Sequence, residues 1–192
     1  MWLVIGLGNP GREYERHRHN VGFLIADLLA YRLGARFGRH RRASADVAEA
    51  RLGLGLDAPQ LVLVKPMTYM NLSGGPVAGL ARFYKVDPAQ IIAVHDELDL
   101  PYGQVRAKFG GGEGGHNGLR SVSQSLSTKD YCRVRFGIGR PPGRQDPADY
   151  VLSDFAAAER KELDFLVDRS ADIVESIIKI GIEATQNAYH GT

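Results

Sequence analysis

Residues Ile91–Asp96 have the sequence IIAVHD, an apolar run that ends in a histidine and a carboxylate. A second apolar run, Trp2–Leu7, leads into a glycine turn, and His19 and Asn20 follow that turn. Apolar runs of this kind are typical of strands that are covered on both faces of a sheet. In open α/β sheets, ligands bind in the crevice beyond the carboxyl ends of such strands. The two runs therefore predict a carboxylate and an imidazole where the strands meet the loops of a binding site.

The first half of the chain alternates between strand and helix patterns. Met1–Gly8 is expected to be a buried strand, and the following helix is expected to be capped by Asn20 and to end at Gly34. The apolar residues of this helix at helical spacing are Val21, Leu24, Ile25 and Leu28. Further on, the pattern predicts two short buried strands with a helix between them, at Leu61–Val64, Pro76–Tyr84 and Ile91–Val94.

The second half adds a strand and two helices. Arg133–Gly139 alternates polar residues with apolar residues or glycine, which predicts a strand with one exposed face. A helix is expected to carry Leu119, Val122 and Leu126 on one face, and apolar positions from Leu163 to Ile182 predict a long C-terminal helix. The expected fold is α/β, with a twisted, mixed and partly parallel sheet flanked by helices in a single domain over residues 1–192.

Composition limits the protein classes that fit. Hydrophobic residues make up 44% of the 192 residues and charged residues 24%, which argues against disorder. The net charge of +2 allows an anionic partner without predicting one. Cys132 is the only cysteine, so an intrachain disulfide is impossible and a reducing compartment is expected. No basic leader or membrane-length apolar stretch is visible, and the expected location is the cytoplasm.

The first glycine motif, Gly6–Gly11, satisfies the dinucleotide pattern G-x-G-x-x-G after a strand. Its context is unfavourable, because Pro10 and the charged stretch Arg12–Arg18 separate the glycines from the helix that would hold the pyrophosphate. The nearest acidic candidate, Asp27, lies inside that helix. Dinucleotide binding is therefore disfavoured.

A second glycine loop runs from Lys108 to Gly118. A P-loop would end in Gly-Lys-Ser or Gly-Lys-Thr, whereas this loop ends in His116 and Asn117, which argues against NTP binding. A pliable backbone with two hydrogen-bonding side chains at its rigid end suits a lid or clamp over a substrate. A flexible surface hairpin is the alternative interpretation.

Other chemistries have weaker support. No Gly-x-Ser-x-Gly elbow occurs, and Cys132 at the start of a strand is a poor candidate nucleophile. A metal site near His95, Asp96, Glu97 and Asp99 is a minor alternative, since adjacent strand residues point to opposite faces. The basic run 36–42 could contact nucleic acid or form a solvated face.

Several blocks lie in order along most of the chain. They are Gly6–Gly11 with Tyr14 and Arg18–Phe23, then Lys65–Gly74, His95–Pro101, Gly110–Gly118, Arg133–Gly139 and the terminal Asn187–His190. Together they closely resemble the bacterial peptidyl-tRNA hydrolase family. Two residues depart from that pattern: Glu113 stands where a neutral residue or histidine is expected, and His17 adds an imidazole beside the first block. Neither is at a matched catalytic position.

The resemblance implies a usually monomeric enzyme without cofactor or metal, which cleaves the ester between a peptide and the terminal ribose of tRNA. Its partner is the acceptor end of peptidyl-tRNA with the 3′-terminal adenosine, with no membrane and no obligate protein partner. His19 matches the general base that activates water, Asp96 the carboxylate that orients it, and Asn9 a third catalytic residue. The matched substrate-binding residues are Tyr14, Met70, Asn71, His116 and Asn117, and the matched clamp for the tRNA phosphate is Lys108 and Arg135.

Each of these residues also has a purely structural interpretation. Asn9 suits an Asn-Pro-Gly turn, Asn20 a helix cap and Asp96 the end of a strand. Only their joint match to one ordered pattern favours catalysis. The main alternative function is a catalytically silent RNA-binding module that uses Lys108, Arg135 and the basic run.

Overall fold

A computed structural model of the chain describes residues 1–190, which build an α/β fold around one seven-stranded sheet. The strands are β1 (Trp2–Gly6), β2 (Gly38–Arg39), β3 (Ala45–Arg51), β4 (Gln60–Pro66), β5 (Ile91–Glu97), β6 (Val105–Phe109) and β7 (Cys132–Gly137). The helices are α1 (Val21–Arg32), α2 (Gly74–Tyr84), α3 (Asn117–Leu126), α4 (Pro147–Val151), α5 (Ala157–Ile180) and α6 (Ile182–His190). Short 3-10 helices lie at Arg12–Tyr14, Arg18–Asn20, Met70–Leu72 and Pro88–Gln90.

The strand order is β2-β3-β4-β1-β5-β7-β6. The four central strands β4, β1, β5 and β7 are parallel, while β2 and β3 on one side and β6 on the other pair antiparallel. The mixed, partly parallel sheet expected from the sequence is therefore confirmed. The apolar runs in β1, β4 and β5 are buried because helices cover both faces of the centre of the sheet.

Two hydrophobic layers enclose the sheet. One contains apolar residues of α1 and α5, including Ile25, Leu29 and Val174. The other contains residues of α2 and α3, including Leu80 and Val122. The chain thus leaves β1 toward one face and enters β5 from the other, and a crevice forms where neighbouring parallel strands have connections on opposite faces.

One detail of the expected secondary structure was wrong. The strand at the Arg-x-Arg block has no fully exposed face, since Arg133 is only 1% exposed. Its guanidinium donates to the carbonyls of Gly112 and Lys129 and lies 4.6 Å from the centre of the Tyr131 ring, which makes burial of the charge possible. The expected long C-terminal helix is confirmed as α5; of the apolar stripe, only Ile182 lies in α6, because Gly181 has a φ of 86° and separates the two helices.

Within residues 1–190, no helix combines the length and the apolar character needed to cross a bilayer.

Candidate active site

A cavity of about 140 Å³ lies at the carboxyl end of β5. His19 and Asp96 line it together with the glycine loop at Gly114–Asn117 and residues of α4, including Pro147 and Val151. The sequence placed an imidazole and a carboxylate at this edge, and the structure brings them into direct contact.

His19 and Asp96 form a buried hydrogen-bonded pair. His19 lies in the 3-10 helix Arg18–Asn20 just before α1, and its Nδ1 is 3.0 Å from Oδ1 and 2.9 Å from Oδ2 of Asp96. His19 is 9% and Asp96 is 3% exposed. Because a carboxylate accepts hydrogen bonds, Nδ1 of His19 carries the proton and Nε2 is left with its lone pair. An imidazole in this tautomer can accept a proton at Nε2.

The two groups shift each other's pKa. Burial of His19 opposes its protonation, but the negative charge and the hydrogen bond of Asp96 outweigh burial and raise the pKa of His19 above its ordinary value. Burial likewise favours the neutral acid of Asp96, yet attraction by His19 and His116 holds the pKa of that carboxyl well below its usual range. Asp96 is therefore ionised and His19 is a stronger base than a free imidazole.

His116 is a second imidazole on the same carboxylate. Its Nδ1 accepts hydrogen bonds from the backbone N–H groups of Gly118 and Leu119 at 3.1 and 3.2 Å, so it serves as the N-cap of α3. The proton is consequently on Nε2, which donates to Oδ1 of Asp96 at 2.9 Å. The cap thus fixes the tautomer of His116 and its contact with Asp96.

The ligand atoms of His19, Asp96 and His116 all lie within 4.8 Å of one another, the only such group of potential metal ligands within residues 1–190. The hydrogen bonds already account for this arrangement. Nδ1 of His116 is occupied by two backbone amides, and its Nε2 carries the proton that a metal ion would have to displace. These residues therefore fit a proton-transfer site better than a metal site.

His95, one residue before Asp96, does not belong to the hydrogen-bonded pair of His19 and Asp96. It is 1% exposed, and its Nδ1 is 2.8 Å from the backbone carbonyl of Asp96, to which it donates. Burial, followed by repulsion from His116, lowers the pKa of His95 to about 3. This histidine is neutral at physiological pH and supports the backbone behind the site.

Asn9 is held by the neighbouring segments. Its Oδ1 accepts from the backbone N–H of Met70 at 2.7 Å, which leaves the Nδ2 group as a donor for a ligand. Its own backbone N–H and carbonyl are both bonded to the side chain of Asn20, at 3.0 and 2.9 Å. The capping role expected for Asn20 was wrong: it occupies the N-cap position of α1, but its side chain bonds Asn9 instead of the helix. The sequence analysis did not predict these two hydrogen bonds, because the two asparagines are distant in the chain and no local pattern links them.

The remaining expected binding residues surround the pair at different depths. Met70 is buried, and a side chain at Gly118 would collide with its sulfur, so Gly118 allows close packing of the Met70–Leu72 helix on α3. Asn71 and Asn117 are exposed, and of the two only Asn117 lines the cavity. Tyr14 is half-buried outside the cavity, with its ring centre 6.4 Å from that of Tyr69.

Lys108 and Arg135 line a second, adjacent cavity of about 260 Å³. The register of β6 and β7 places Lys108 opposite Arg133, so Lys108, Arg133 and Arg135 share one face of the sheet. Arg135 donates through Nε to Oε1 of Glu97 at 3.0 Å, and its Nη2 lies 3.0 Å from the same oxygen. Sequence reasoning missed Arg133 as part of this cavity, although the Arg-x-Arg spacing, which puts both arginines on one strand face, was the available signal.

The unusual residues and the basic run lie outside the catalytic cavity. Glu113 pairs with Lys129 at 3.5 Å, and its pKa is lowered because the bonds with Ser123 and the attraction of Lys129 outweigh burial. His17 forms an isolated β-bridge with Asp154. In the basic run, Arg39 pairs with Asp46 at 2.8 Å.

Comparison with known proteins identifies relatives along the whole chain. The family model described as peptidyl-tRNA hydrolase matches residues 3–192. A peptidyl-tRNA hydrolase of Nocardia farcinica is 63% identical over 188 residues, covering 98% of this chain and 95% of its own. One of Frankia alni is 61% identical over 189 residues, with 98% and 93% covered.

Solved structures agree with the sequence relatives. The crystal structure of peptidyl-tRNA hydrolase from Acinetobacter baumannii matches with a TM-score of 0.88 at 33% identity, covering 97% of this chain and 93% of that one. The resemblance carried by the sequence blocks is thereby confirmed, and the chain belongs to the peptidyl-tRNA hydrolase family.

Proposed function

We propose that the protein hydrolyses the ester that joins a peptide to the 3′-terminal adenosine of tRNA, releasing the tRNA for reuse. Family membership supports the reaction, and one contact supports the mechanism: Nδ1 of His19 is bonded to both oxygens of the buried Asp96. This contact leaves Nε2 of His19 free to act as a base at the edge of the cavity. The catalytic residues of the proposal are His19, Asp96 and Asn9.

In the first step, Nε2 of His19 takes a proton from a water molecule while the water oxygen attacks the carbonyl carbon of the ester. The resulting imidazolium is stabilised by the ionised Asp96, which is already in place to accept from Nδ1. In the second step, the tetrahedral intermediate collapses and the bond to the ribose oxygen breaks. The imidazolium returns its proton to that oxygen, so the products are a free peptide acid and a tRNA with its hydroxyl restored.

The amides of Asn9, Asn71 and Asn117 bind the reacting end of the substrate. The orientation of Asn9 is fixed by its bond to Met70, which leaves Nδ2 to donate to the carbonyl oxygen as negative charge develops there. Asn71 and Asn117 are exposed and can donate to or accept from a peptide backbone of any sequence. Tyr14, Met70 and His116 complete the substrate-binding set of the proposal.

Lys108 and Arg135 are proposed to hold a phosphate of the tRNA. The contact with Glu97 uses Nε and Nη2 of Arg135 and orients the guanidinium, and the Nη1 side is available to an anion. Arg133 adds a buried positive charge to the same cavity. We further propose that the enzyme acts as a monomer in the cytoplasm.

A non-catalytic RNA-binding module explains the basic cavity but not the catalytic pair. Phosphate binding needs exposed cations, and a carboxylate buried between two imidazoles does not contribute to it. The buried pair therefore favours hydrolysis.

The test is release of labelled N-acetyl-aminoacyl groups from tRNA, measured with and without a chelator and compared with free aminoacyl-tRNA. We expect turnover that is insensitive to the chelator and much faster for the N-acylated substrate. The two carboxylates that line the cavity, Asp96 and Glu97, are already bonded to the two histidines and to Arg135, so neither is available to replace the hydration of an α-ammonium group. Absence of turnover would support the binding module, and loss of turnover with chelator would support a metalloenzyme.

A further inference from the structure

A groove of about 650 Å³ lies beside α2, and neither His19 nor Asp96 lines it. One wall is formed by α2 and the other by residues 40–44, which connect β2 to β3. Nδ1 of His40 accepts from the backbone N–H groups of Arg42 and Ala43 at 3.2 and 3.1 Å and so shapes the second wall. The groove follows α2 from Gly75 to Phe83, a length of about 12 Å at 1.5 Å per residue.

The groove is cationic. Arg42 and Arg82 line it, and no acidic residue does. Neither guanidinium has an ion pair or hydrogen bond within residues 1–190, whereas Arg39 nearby is paired with Asp46. Two uncompensated cations in a concave site favour an occupant that carries negative charge.

The wall formed by α2 carries two glycines with open space beside them. Gly75 and Gly79 are one helical turn apart on α2, and a Cβ atom at either position would meet no atom within 4 Å. Helix α2 therefore offers a smooth surface against which an extended chain can lie. At about 3.3 Å per residue, the groove has room for roughly four residues of an extended peptide.

The order of the strands places the groove relative to the two arms of the substrate. The cavity of Lys108 and Arg135 lies at the β7-β6 side of the sheet, the catalytic pair lies at β1 and β5, and the groove lies at the β3-β4 side. An ester bound at His19 has a tRNA arm and a peptide arm, which leave in different directions. If the tRNA arm lies toward Lys108, the peptide arm is directed to the opposite side.

The inner end of the groove adjoins the catalytic cavity along the chain. Thr68 lines the groove, and two residues later the backbone N–H of Met70 donates to Asn9. The exposed Asn71 lies in the same short segment, so residues 68–71 connect the groove to the surroundings of Asn9.

We propose that this groove binds the peptide arm of the substrate in an extended conformation and favours peptides with acidic side chains, through Arg42 and Arg82. The inference rests on the proposed function, and it adds a preference for peptide sequence that the catalytic residues alone do not provide.

The test compares three substrates on one tRNA: an N-acetyl-aminoacyl group, and two six-residue peptides with either aspartate or lysine at positions distant from the ester. For the wild type we expect a higher kcat/KM for the aspartate peptide, by roughly 1.5- to 5-fold per arginine, the range of exposed charge pairs. The double variant Arg42→Glu with Arg82→Glu should reverse the order of the two peptides. The single variants Arg82→Glu and Arg36→Glu make the same charge change, the first in the groove and the second in the basic run outside it. Only Arg36→Glu should keep the wild-type ratio.

A second variant, Gly79→Leu, adds a side chain to the α2 wall at a position where a Cβ atom meets nothing within 4 Å, and leucine is a better helix former than glycine. It should lower kcat/KM for both six-residue peptides relative to the N-acetyl-aminoacyl substrate. An aspartate-to-lysine ratio that is equal in the wild type and the double variant would overturn the proposal. The proposal would also be overturned if the double variant lost kcat/KM equally on all three substrates and its kcat/KM depended less on salt. That result would assign the groove to RNA binding.

Failure of the proposed function is distinguishable from failure of this inference. Without hydrolysis of the N-acetyl-aminoacyl substrate, the reaction itself is refuted. Binding of the free aspartate peptide, measured by fluorescence anisotropy, then still tests the groove: binding that the double variant loses supports it, and binding that the variant retains excludes it.

Discussion

Nε2 of His116 lies 2.9 Å from Oδ1 of Asp96, while the other nitrogen of the same ring caps helix α3. One side chain therefore connects the glycine loop, the helix that follows it and the catalytic carboxylate. Replacement by asparagine separates these roles, because asparagine is a good N-cap but is too short to reach Asp96. We expect His116→Asn to fold normally and to lose about 10-fold in kcat, as for a lost hydrogen bond to a charged group. Unfolding temperature and kcat measured together check this, and an unchanged kcat would show that the contact is dispensable.

His19→Ala removes the proposed base and leaves the phosphate contacts in place. We expect a loss of roughly 10²- to 10⁴-fold in kcat, the usual range for a general base, with tRNA binding nearly unchanged. Single-turnover hydrolysis and a filter-binding assay on uncharged tRNA separate the two effects. Near-normal turnover would refute the mechanism.

Asp96→Asn keeps the shape of the site but offers one acceptor oxygen to two imidazoles. Either His19 or His116 then loses its acceptor, and the tautomer of His19 is no longer fixed. We therefore expect kcat to decrease by up to about 10⁴-fold. Since Asp96 raises the pKa of His19 and the base acts in its neutral form, the acid limb of the pH-rate profile should move to lower pH in the variant. An acid limb that stays in place with a normal rate would make Asp96 a structural residue.

Lys108→Ala tests the phosphate clamp. We expect KM for peptidyl-tRNA to rise more than kcat falls, because the catalytic pair is untouched. The slope of log affinity against log salt should become shallower by roughly one unit or less. Lys161→Ala, an exposed lysine on α5, is the matched control. Equal impairment on a minimal ester without the tRNA body would show that Lys108 supports the cavity instead of binding phosphate.

His95→Gln tests the consequence of a buried neutral histidine for stability. The pKa of His95 is lowered from about 6.5 to about 3, so the unfolded chain binds a proton that the folded protein does not. The contribution of neutral His95 to the free energy of unfolding is therefore complete above about pH 6.5. It decreases as the pH falls toward 3, by up to about 1.4 kcal/mol per pH unit. Urea unfolding between pH 4 and 7 should show a smaller dependence on pH in the variant, and an identical slope would mean that His95 is not the responsible group.

The sequence predicted the centre of the fold better than its borders. The apolar strands β1, β4 and β5 are visible as continuous runs because both of their faces are buried. The strands β2, β3 and β6 were missed, since they lie toward the edges of the sheet and carry mixed polar residues such as those at Gly38–Arg39. Local hydrophobic patterns contain little information about edge strands, whose position depends on pairing with distant segments.

In the candidate site too, local sequence patterns predicted the positions of residues but not the contacts between distant segments. His19 and Asp96 follow strand-like runs, so their edge of the sheet could be inferred before the structure. The bonds from Asn20 to Asn9 and from His116 to Asp96 could not, because they connect residues 11 and 20 positions apart through the tertiary fold. Burial of Arg133 was hidden for a similar reason: its partners are backbone carbonyls, which every residue provides.

The bonds of Arg133 have a mechanical consequence for the glycine loop. One guanidinium ties the carbonyl of Gly112 to that of Lys129, so the loop is anchored to the sheet at its midpoint. At its far end, His116 is anchored to Asp96 and to α3. Only Glu113, Gly114 and Gly115 lie between these anchors, and Glu113 is itself paired with Lys129, so the segment is too short to move away from the cavity unless a contact is released. The many glycines therefore give this loop its path over the carboxylate, while its freedom of movement is set by the side chains of Arg133, His116 and Glu113.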